Sequence, residues 1–125
     1  MQFIQIKNLS QPELAPILAR NCDTFLCRLR GFTFRRRLSQ DEALLFVQPR
    51  ENRLDAAIHM MAVWTDLAVF WINNRGVVVD SCLAKSWHPY YIPRKPARYT
   101  LEVAPERFDA FQIGDEVAIE KVALD

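Results

Sequence analysis

Four side chains are suited to acid–base chemistry, namely Asp66, His59, His88 and Glu102. A carboxylate beside a histidine can move a proton during hydrolysis. His59 and Asp66 are seven residues apart, so a continuous strand would place them on opposite faces, and a bend near residues 64–65 would be needed. No serine or cysteine lies in a nucleophile elbow, and three scattered glycines form no phosphate loop or dinucleotide fingerprint. We expect no catalytic residue; these four are the candidates of an alternative, a hydrolase that uses Asp66 with a histidine.

Metal and redox chemistry have little support in the sequence. The two histidines are far apart, and no cysteine pair has metal-binding spacing. We predict no metal site and no cofactor. Cys22, Cys27 and Cys82 cannot all pair, and none lies in a Cys-x-x-Cys motif, so we expect a cytoplasmic protein with ordinary reduced thiols.

A cluster of arginines is the most visible local feature. It places five guanidinium groups within ten residues without an acid: Arg28, Arg30, Arg35, Arg36 and Arg37. Arginine binds phosphate and carboxylate through its planar fork, so the cluster is a candidate anion or acidic-partner site. The alternative is pairing within the chain, with Asp41, Glu42 or the acidic C-terminal strand. We favour the alternative and predict that Arg35 and Arg36 stabilise the fold.

A second candidate surface is the proline-rich segment 87–96. Its aromatic residues offer stacking faces and its basic residues can hold an anion. The alternative is that the aromatics fold back over the core. Together with the cluster, it supplies our candidate ligand-binding residues, which are Arg35, Arg36, Trp87, His88, Tyr90, Arg94 and Arg98.

Strand patterns dominate the elements that must position these residues. Short apolar or β-branched runs predict strands at 3–6, 16–20, 43–47, 67–72, 77–79, 98–103 and 116–120. The strand at 98–103 alternates, so Tyr99, Leu101 and Val103 should face the core and Arg98, Thr100 and Glu102 the other side. We expect a core that contains Leu44, Phe46, Val69, Trp71, Val78, Leu101, Val117 and Ile119.

Two helices and one tight turn complete the predicted elements. Asp23 or Thr24 can cap a helix with the apolar stripe Phe25, Leu26 and Leu29, which ends before Gly31. We also predict a short helix at 105–111 and a hairpin turn at 73–76. The fold class is therefore α+β, mainly β.

Length and charge limit the classes of protein. The 125 residues suffice for one domain, 1–125, and a net charge of +1 provides no general attraction to nucleic acid or anionic lipid. The N-terminus lacks a signal-peptide pattern. The apolar stretch 54–72 carries Asp55, His59 and Asp66, which disfavours a membrane span.

Several motifs occur in an order typical of a known family. The chain carries "GFTFRRRL" at 31–38, "EALLFVQP" at 42–49, "IHM" at 58–60, "PARYTLEV" at 96–103 and "IGD" at 113–115. In order and approximate spacing they resemble the signature of the uncharacterised DUF192 (UPF0127) family. The resemblance implies a small β-rich fold similar to a distorted barrel, with no established biochemical role.

The chain departs from the family pattern at three points. The aspartate of the family's "PLD" segment aligns with Ala68, the basic residue of "MKN" aligns with positions 62–64, and Pro105 and Glu106 replace the glycine after "LE". Asp66 lies two residues before Ala68 and so shares its face on a strand, which leaves two alternatives: Asp66 partly replaces the missing carboxylate, or it is unrelated to it. The resemblance therefore implies a divergent polar site.

The leading hypothesis is a non-enzymatic domain that binds a ligand or partner through the aromatic and basic loop and the arginine cluster. We expect a small anionic or sugar-like ligand or an acidic protein partner, without tight nucleic-acid binding or membrane contact, and a monomer or weak dimer. A further alternative is a regulator or complex subunit that contacts nucleic acid weakly.

Overall fold

The protein folds around one seven-stranded sheet. The computed structural model describes residues 2–33, 35 and 38–122, without the side chains of Phe25, Leu26 and Leu29. The candidates Arg36 and Arg37 lie outside the described residues. The strands are β1 (Phe3–Asn8), β2 (Ile17–Cys22), β3 (Ala43–Asn52), β4 (Leu67–Ile72), β5 (Val78–Ala84), β6 (Ala97–Val103) and β7 (Val117–Val122).

The strands are arranged in the order β5-β4-β6-β3-β2-β1-β7. All neighbours are antiparallel except β2 and β3, which pair in parallel. The sheet curls into a half-barrel, and its two edges meet where Val77 bridges Glu116. Gly76 is required at this closure, because a Cβ there would lie 2.7 Å from the carbonyl oxygen of Val117.

Short helical segments flank the sheet. Helix α1 (Phe25–Arg30) begins at Thr24, whose side chain accepts a hydrogen bond from the Cys27 N–H, and it ends at Gly31, which has a φ of 48°. Gly31 adopts this left-handed conformation at low cost because it has no Cβ. A 3-10 helix (Pro105–Ala110) packs against β4.

Both faces of the sheet are buried. The concave face carries an apolar core that includes Ile6, Leu45, Phe70, Leu101 and Val103. The opposite face, here called the polar-row face, carries Leu44, Phe46, Val69 and Trp71 in a second core. The same face also carries a row of other strand residues, most of them polar, which are Arg20, Gln48, Asp80, Cys82, Thr100 and Glu102.

The segment 53–66 covers the polar-row face, and the backbone carbonyl group of Ala56 attaches it there. The oxygen of Ala56 accepts hydrogen bonds from Trp71 Nε1 (2.7 Å) and Thr100 Oγ1 (3.1 Å). Ala56, Met60 and Val63 then pack on the apolar side chains of this face. Since Thr100 and Trp71 occupy neighbouring strands in register, the covering segment is fixed to the centre of the sheet.

Most predicted elements are confirmed. All seven strands, the Thr24-capped helix and the hairpin turn exist, with boundaries that differ by a few residues. The core prediction holds for seven of its eight residues, while Ile119 is only partly buried. The fold is mainly β. None of the described helices is long and apolar enough to cross a membrane.

Both faces of β6 are buried, whereas the sequence predicted burial of one face only. Thr100 and Glu102 face away from the concave core, as the alternation requires, but they are 0% and 4% exposed. A period-two pattern shows which residues share a face, and it does not show whether another segment covers that face.

We expect Leu101→Ala to lower the free energy of unfolding by about 2 to 5 kcal/mol, because the side chain is fully buried in the centre of the sheet. Urea unfolding measures this. Leu83→Ala, at an exposed position of β5, is the matched control and should cost far less. Equal losses in both variants would show that β6 is peripheral.

Candidate functional site

An open groove between β2, α1 and the start of β3 brings three arginines together. It measures about 430 Å³ and is lined by Arg20, Asn21, Cys27, Arg30, Gly31, Thr33, Arg35 and Leu44. Among the described residues that line it, three are arginines and none is acidic. We call it the arginine groove.

The arginines of the groove differ in their partners. Arg35 Nη2 lies 2.8 Å from both carboxylate oxygens of Glu42, which confirms the expected pairing. Arg20 and Arg30 form no hydrogen bond or ion pair with any other described residue. Two guanidinium groups therefore remain available to a ligand.

Arg28 has a structural role instead. Its Nη1 donates to the carbonyl oxygens of Asp23 (2.8 Å) and Val47 (3.3 Å). These bonds join α1 to Asp23, which precedes the helix, and to Val47 of β3. Arg28 therefore holds the helix that presents Arg30.

A disulfide between Cys22 and Cys27 also fixes α1, since it joins the end of β2 to the helix. The prediction of ordinary reduced thiols is therefore wrong for these two cysteines. The search for a Cys-x-x-Cys motif missed this pair because the two cysteines are five residues apart. The end of β2 and the capped first turn of α1 bring their Cα atoms to 5.4 Å, which is a normal distance for a disulfide. Cys82 is free, and burial, with the nearby charges of Asp80 and Glu102, raises its pKa to about 12.

A smaller cavity of about 60 Å³ lies beside the arginine groove; we call it the Glu102 cavity. The two share Arg30, Gly31 and Thr33 in their walls. The remaining lining residues are Arg28, Phe32, Phe46, Gln48, Asp55, Ala57, Ile58, His59, Val63 and Glu102.

Glu102 is the unusual group in this cavity. It is 4% exposed, and its carboxyl group forms no hydrogen bond or ion pair with another residue of the described part of the chain. Burial raises its pKa from 4.5 to about 8, so the carboxyl group is mostly neutral at pH 7. A Cβ at position 31 would lie 3.7 Å from Glu102 Oε1 and 3.2 Å from the Phe46 ring, so the cavity depends on Gly31.

The four acid–base candidates do not converge. Glu102 and His59 line the Glu102 cavity, whereas Asp66 and His88 do not. Asp66 Oδ1 accepts from the Ser86 N–H (2.9 Å) and Oδ2 lies 3.5 Å from Lys85 Nζ, so Asp66 supports the turn before Trp87. His88 stacks on Tyr91 with ring centroids 4.6 Å apart.

Position 68 gives no sign of a replaced carboxylate. Ala68 is fully buried in the concave core. It therefore lies on the opposite face of the sheet from Val69 of β4 and Glu102 of β6. Asp66 precedes β4 and is occupied by the turn at 85–86. The hypothesis that Asp66 replaces the family aspartate is therefore not supported.

The aromatic loop forms a surface outside both cavities. Trp87 and Tyr90 are 44% and 61% exposed, and Trp87 packs edge-on against Trp64, with centroids 5.2 Å apart. Trp87 has a φ of 65°, fixed by its N–H bond to the Met60 carbonyl (2.9 Å). Neither of these two aromatics folds over the core, whereas Tyr91 of the same loop packs against it.

The basic candidates of that loop are engaged within the protein. Arg94 binds Asp80 through its backbone N–H (2.8 Å) and its guanidinium Nη2 (2.8 Å). Burial alone would raise the pKa of Asp80, but the bonds from Arg94 and Ser81 hold it below its usual value. Arg98 donates to the Gln48 carbonyl and to Asn74 Oδ1. The structure does not present the arginines and the loop as one combined surface.

Comparison with known proteins identifies the family. Residues 6–119 match the DUF192 profile, described as "Uncharacterized ACR". UPF0127 proteins of Thermococcus gammatolerans and Pyrococcus furiosus are 41% and 32% identical over 64% and 76% of this chain. The aligned residues cover 50% and 78% of those proteins, so the chain spans about half the length of the first relative. The protein belongs to the DUF192 (UPF0127) family, for which no function is established.

Solved structures confirm the fold. A Sinorhizobium meliloti 1021 protein named as a "putative transcription regulator" superposes with a TM-score of 0.79 at 16% identity, over 94% of this chain and 92% of that one. A Novosphingobium aromaticivorans protein of unknown function gives 0.76 at 16% identity, over 93% and 83%. At this identity the likeness shows the fold alone.

We expect the stability of the wild type to fall as pH rises from about 4.5 to about 8 relative to Glu102→Gln. The folded state keeps the Glu102 proton in this range while the unfolded state releases it, so unfolding becomes easier. The variant should be more stable by a few kcal/mol at pH 9, at about 1.4 kcal/mol per pKa unit. Urea unfolding from pH 5 to 9 measures the difference.

Glu120→Gln, at an exposed position of β7, is the control and should give a curve parallel to that of the wild type. If the Glu102→Gln curve is also parallel, Glu102 is ionised at neutral pH.

We expect denatured, unreduced protein to take up one iodoacetamide, at Cys82, and denatured, reduced protein to take up three. Only Cys82 is outside the disulfide. Intact-mass spectrometry counts the additions. Three additions without reductant would contradict the disulfide.

Proposed function

We propose that this domain binds a small molecule that carries an oxyanion, a carboxylate or a phosphate, in the arginine groove. The observation that supports this function best is the pair Arg20 and Arg30, whose guanidinium groups face an acid-free hollow of about 430 Å³ and lack protein partners among the described residues. Arginine forks match planar and tetrahedral oxyanions with two parallel hydrogen bonds.

The surroundings of the groove support a bound ligand. A volume of this size lies in the range of small-molecule sites. Arg20 projects from β2 and Arg30 from a helix held by a cap and a disulfide, so the backbone that carries both arginines is fixed before a ligand arrives. Thr33 and Asn21 add neutral polar groups to the wall.

The groove also favours a small ligand over an extended acidic partner. Arg35 at its rim is neutralised by Glu42, and Asp41 and Glu42 line the adjoining hollow of about 270 Å³. These acids would repel a long acidic segment that leaves the groove on this side. Among the described residues, the groove therefore carries the positive charge of Arg20 and Arg30, and the acids lie in the adjoining hollow, which Arg20 also lines.

The alternative functions have weaker support. A hydrolase would need Asp66 beside a histidine, whereas Asp66 bonds to Ser86 and Lys85. Nucleic-acid contact would draw on a basic surface, whereas Arg94 and Arg98 are engaged within the protein and the net charge is +1.

We expect saturable binding of sulfate and of succinate to the wild type, weakened about tenfold or more by Arg20→Gln and by Arg30→Gln. A hydrogen bond to a charged group contributes about 1.5 to 3 kcal/mol, which corresponds to this factor. Calorimetric titration at constant ionic strength measures the affinities.

Arg75→Gln is the matched control, since Arg75 lies exposed in the hairpin turn away from the groove. It should leave both affinities unchanged. Absence of saturable binding to the wild type, or equal weakening by all three substitutions, would contradict the proposal.

A further inference from the structure

The Glu102 cavity is an extension of the arginine groove. Arg30, Gly31 and Thr33 form part of both walls, so one group of a bound ligand can enter the cavity while the rest stays in the groove. At about 60 Å³ the cavity holds roughly four water-sized positions. This space suits one carboxylate or one tetrahedral oxyanion and excludes a ring.

Glu102 is held rigidly at the wall of this cavity. Its strand, β6, is central in the sheet, and Glu102 lies in register with Leu44 on β3 and Val69 on β4. Glu102 is 4% exposed, and its carboxyl group has no hydrogen-bonding partner among the described residues. Since the residue lines the cavity, this carboxyl group can bond to a group that enters it.

The charged groups around Glu102 favour an anion over a cation in the cavity. Helix α1 contributes Arg28 and Arg30, and the covering segment contributes Asp55 and His59. The strands one position beyond β3 and β4 add Arg20 on β2 and, on β5, Asp80 and Cys82. Asp80 is paired with Arg94, and Cys82 carries no charge at neutral pH. The two arginines at the cavity wall would repel a cation.

We infer that an oxyanion of the ligand enters the Glu102 cavity, where the neutral carboxyl group of Glu102 donates a hydrogen bond to it beside Arg30. This inference rests on the proposed function of the groove. A carboxylic acid offers one O–H donor, whereas a carboxylate only accepts and would repel the oxyanion. Binding therefore requires the proton on Glu102, and loss of that proton releases the ligand.

The pH dependence follows with a defined sign. Burial raises the pKa of Glu102 to about 8, so the donor form predominates below pH 8 and is lost above it. The affinity should be nearly constant from pH 6.5 to 7.5 and about tenfold weaker at pH 9.

Sulfate is the probe for this test, because its charge does not change in this pH range. The affinity of the wild type for sulfate is measured by calorimetry from pH 6.5 to 9 at constant ionic strength, since salt screens the arginines. Glu102→Gln keeps an N–H donor at the same place, so it should bind sulfate with an affinity that no longer changes with pH. Glu120→Gln, at an exposed position of β7 outside both cavities, is the matched control and should keep the wild-type pH dependence.

Proton uptake tests the same step in the wild type alone. Titrations at pH 8.5 in buffers of different ionisation enthalpy should show uptake of about three quarters of a proton per sulfate bound. Zero uptake overturns the inference, as does an affinity of the wild type that is constant from pH 7 to 9.

The two proposals fail in different ways. If sulfate does not bind to any of the proteins, or if Arg20→Gln and Arg30→Gln have no effect, the groove is not an anion site. If both arginines are required and the pH dependence persists in Glu102→Gln, the groove binds the anion without Glu102.

Discussion

The carbonyl oxygen of Ala56 holds the arrangement on which the candidate site depends. It accepts hydrogen bonds from Trp71 and Thr100, which lie in register on two central strands. These bonds fix the segment 53–66 over a face that would otherwise meet water. The covering segment turns that face into an interior, and the burial of Glu102 and its raised pKa follow from it.

A second constraint acts at Gly31. Its left-handed φ ends α1, and its missing side chain leaves room beside Phe46 and Glu102. The same glycine therefore terminates the helix that presents Arg30 and opens the cavity that Arg30 shares with Glu102. A larger residue at position 31 would both strain the backbone and reduce the space beside Phe46 and Glu102.

Family membership and local chemistry carry different information here. The motif order predicted the family, the profile match confirmed it, and the family has no established function. The residues that the proposals use, Arg20, Arg30 and Glu102, come from separate elements and were not joined by any motif. Of the basic residues named as ligand candidates, Arg94 and Arg98 are engaged within the protein, while Arg35 pairs with Glu42.

The sequence by itself determined the strands, the capped helix, the hairpin turn and the family, because alternation, capping residues and turn formers act over a few residues. It also showed that Thr100 and Glu102 share a face. Only the tertiary structure decided that this face is covered, that Cys22 meets Cys27, and that Arg20 and Arg30 line one groove. Those outcomes depend on how separate elements pack against one another in space, and no local pattern records which charged side chain will find a partner.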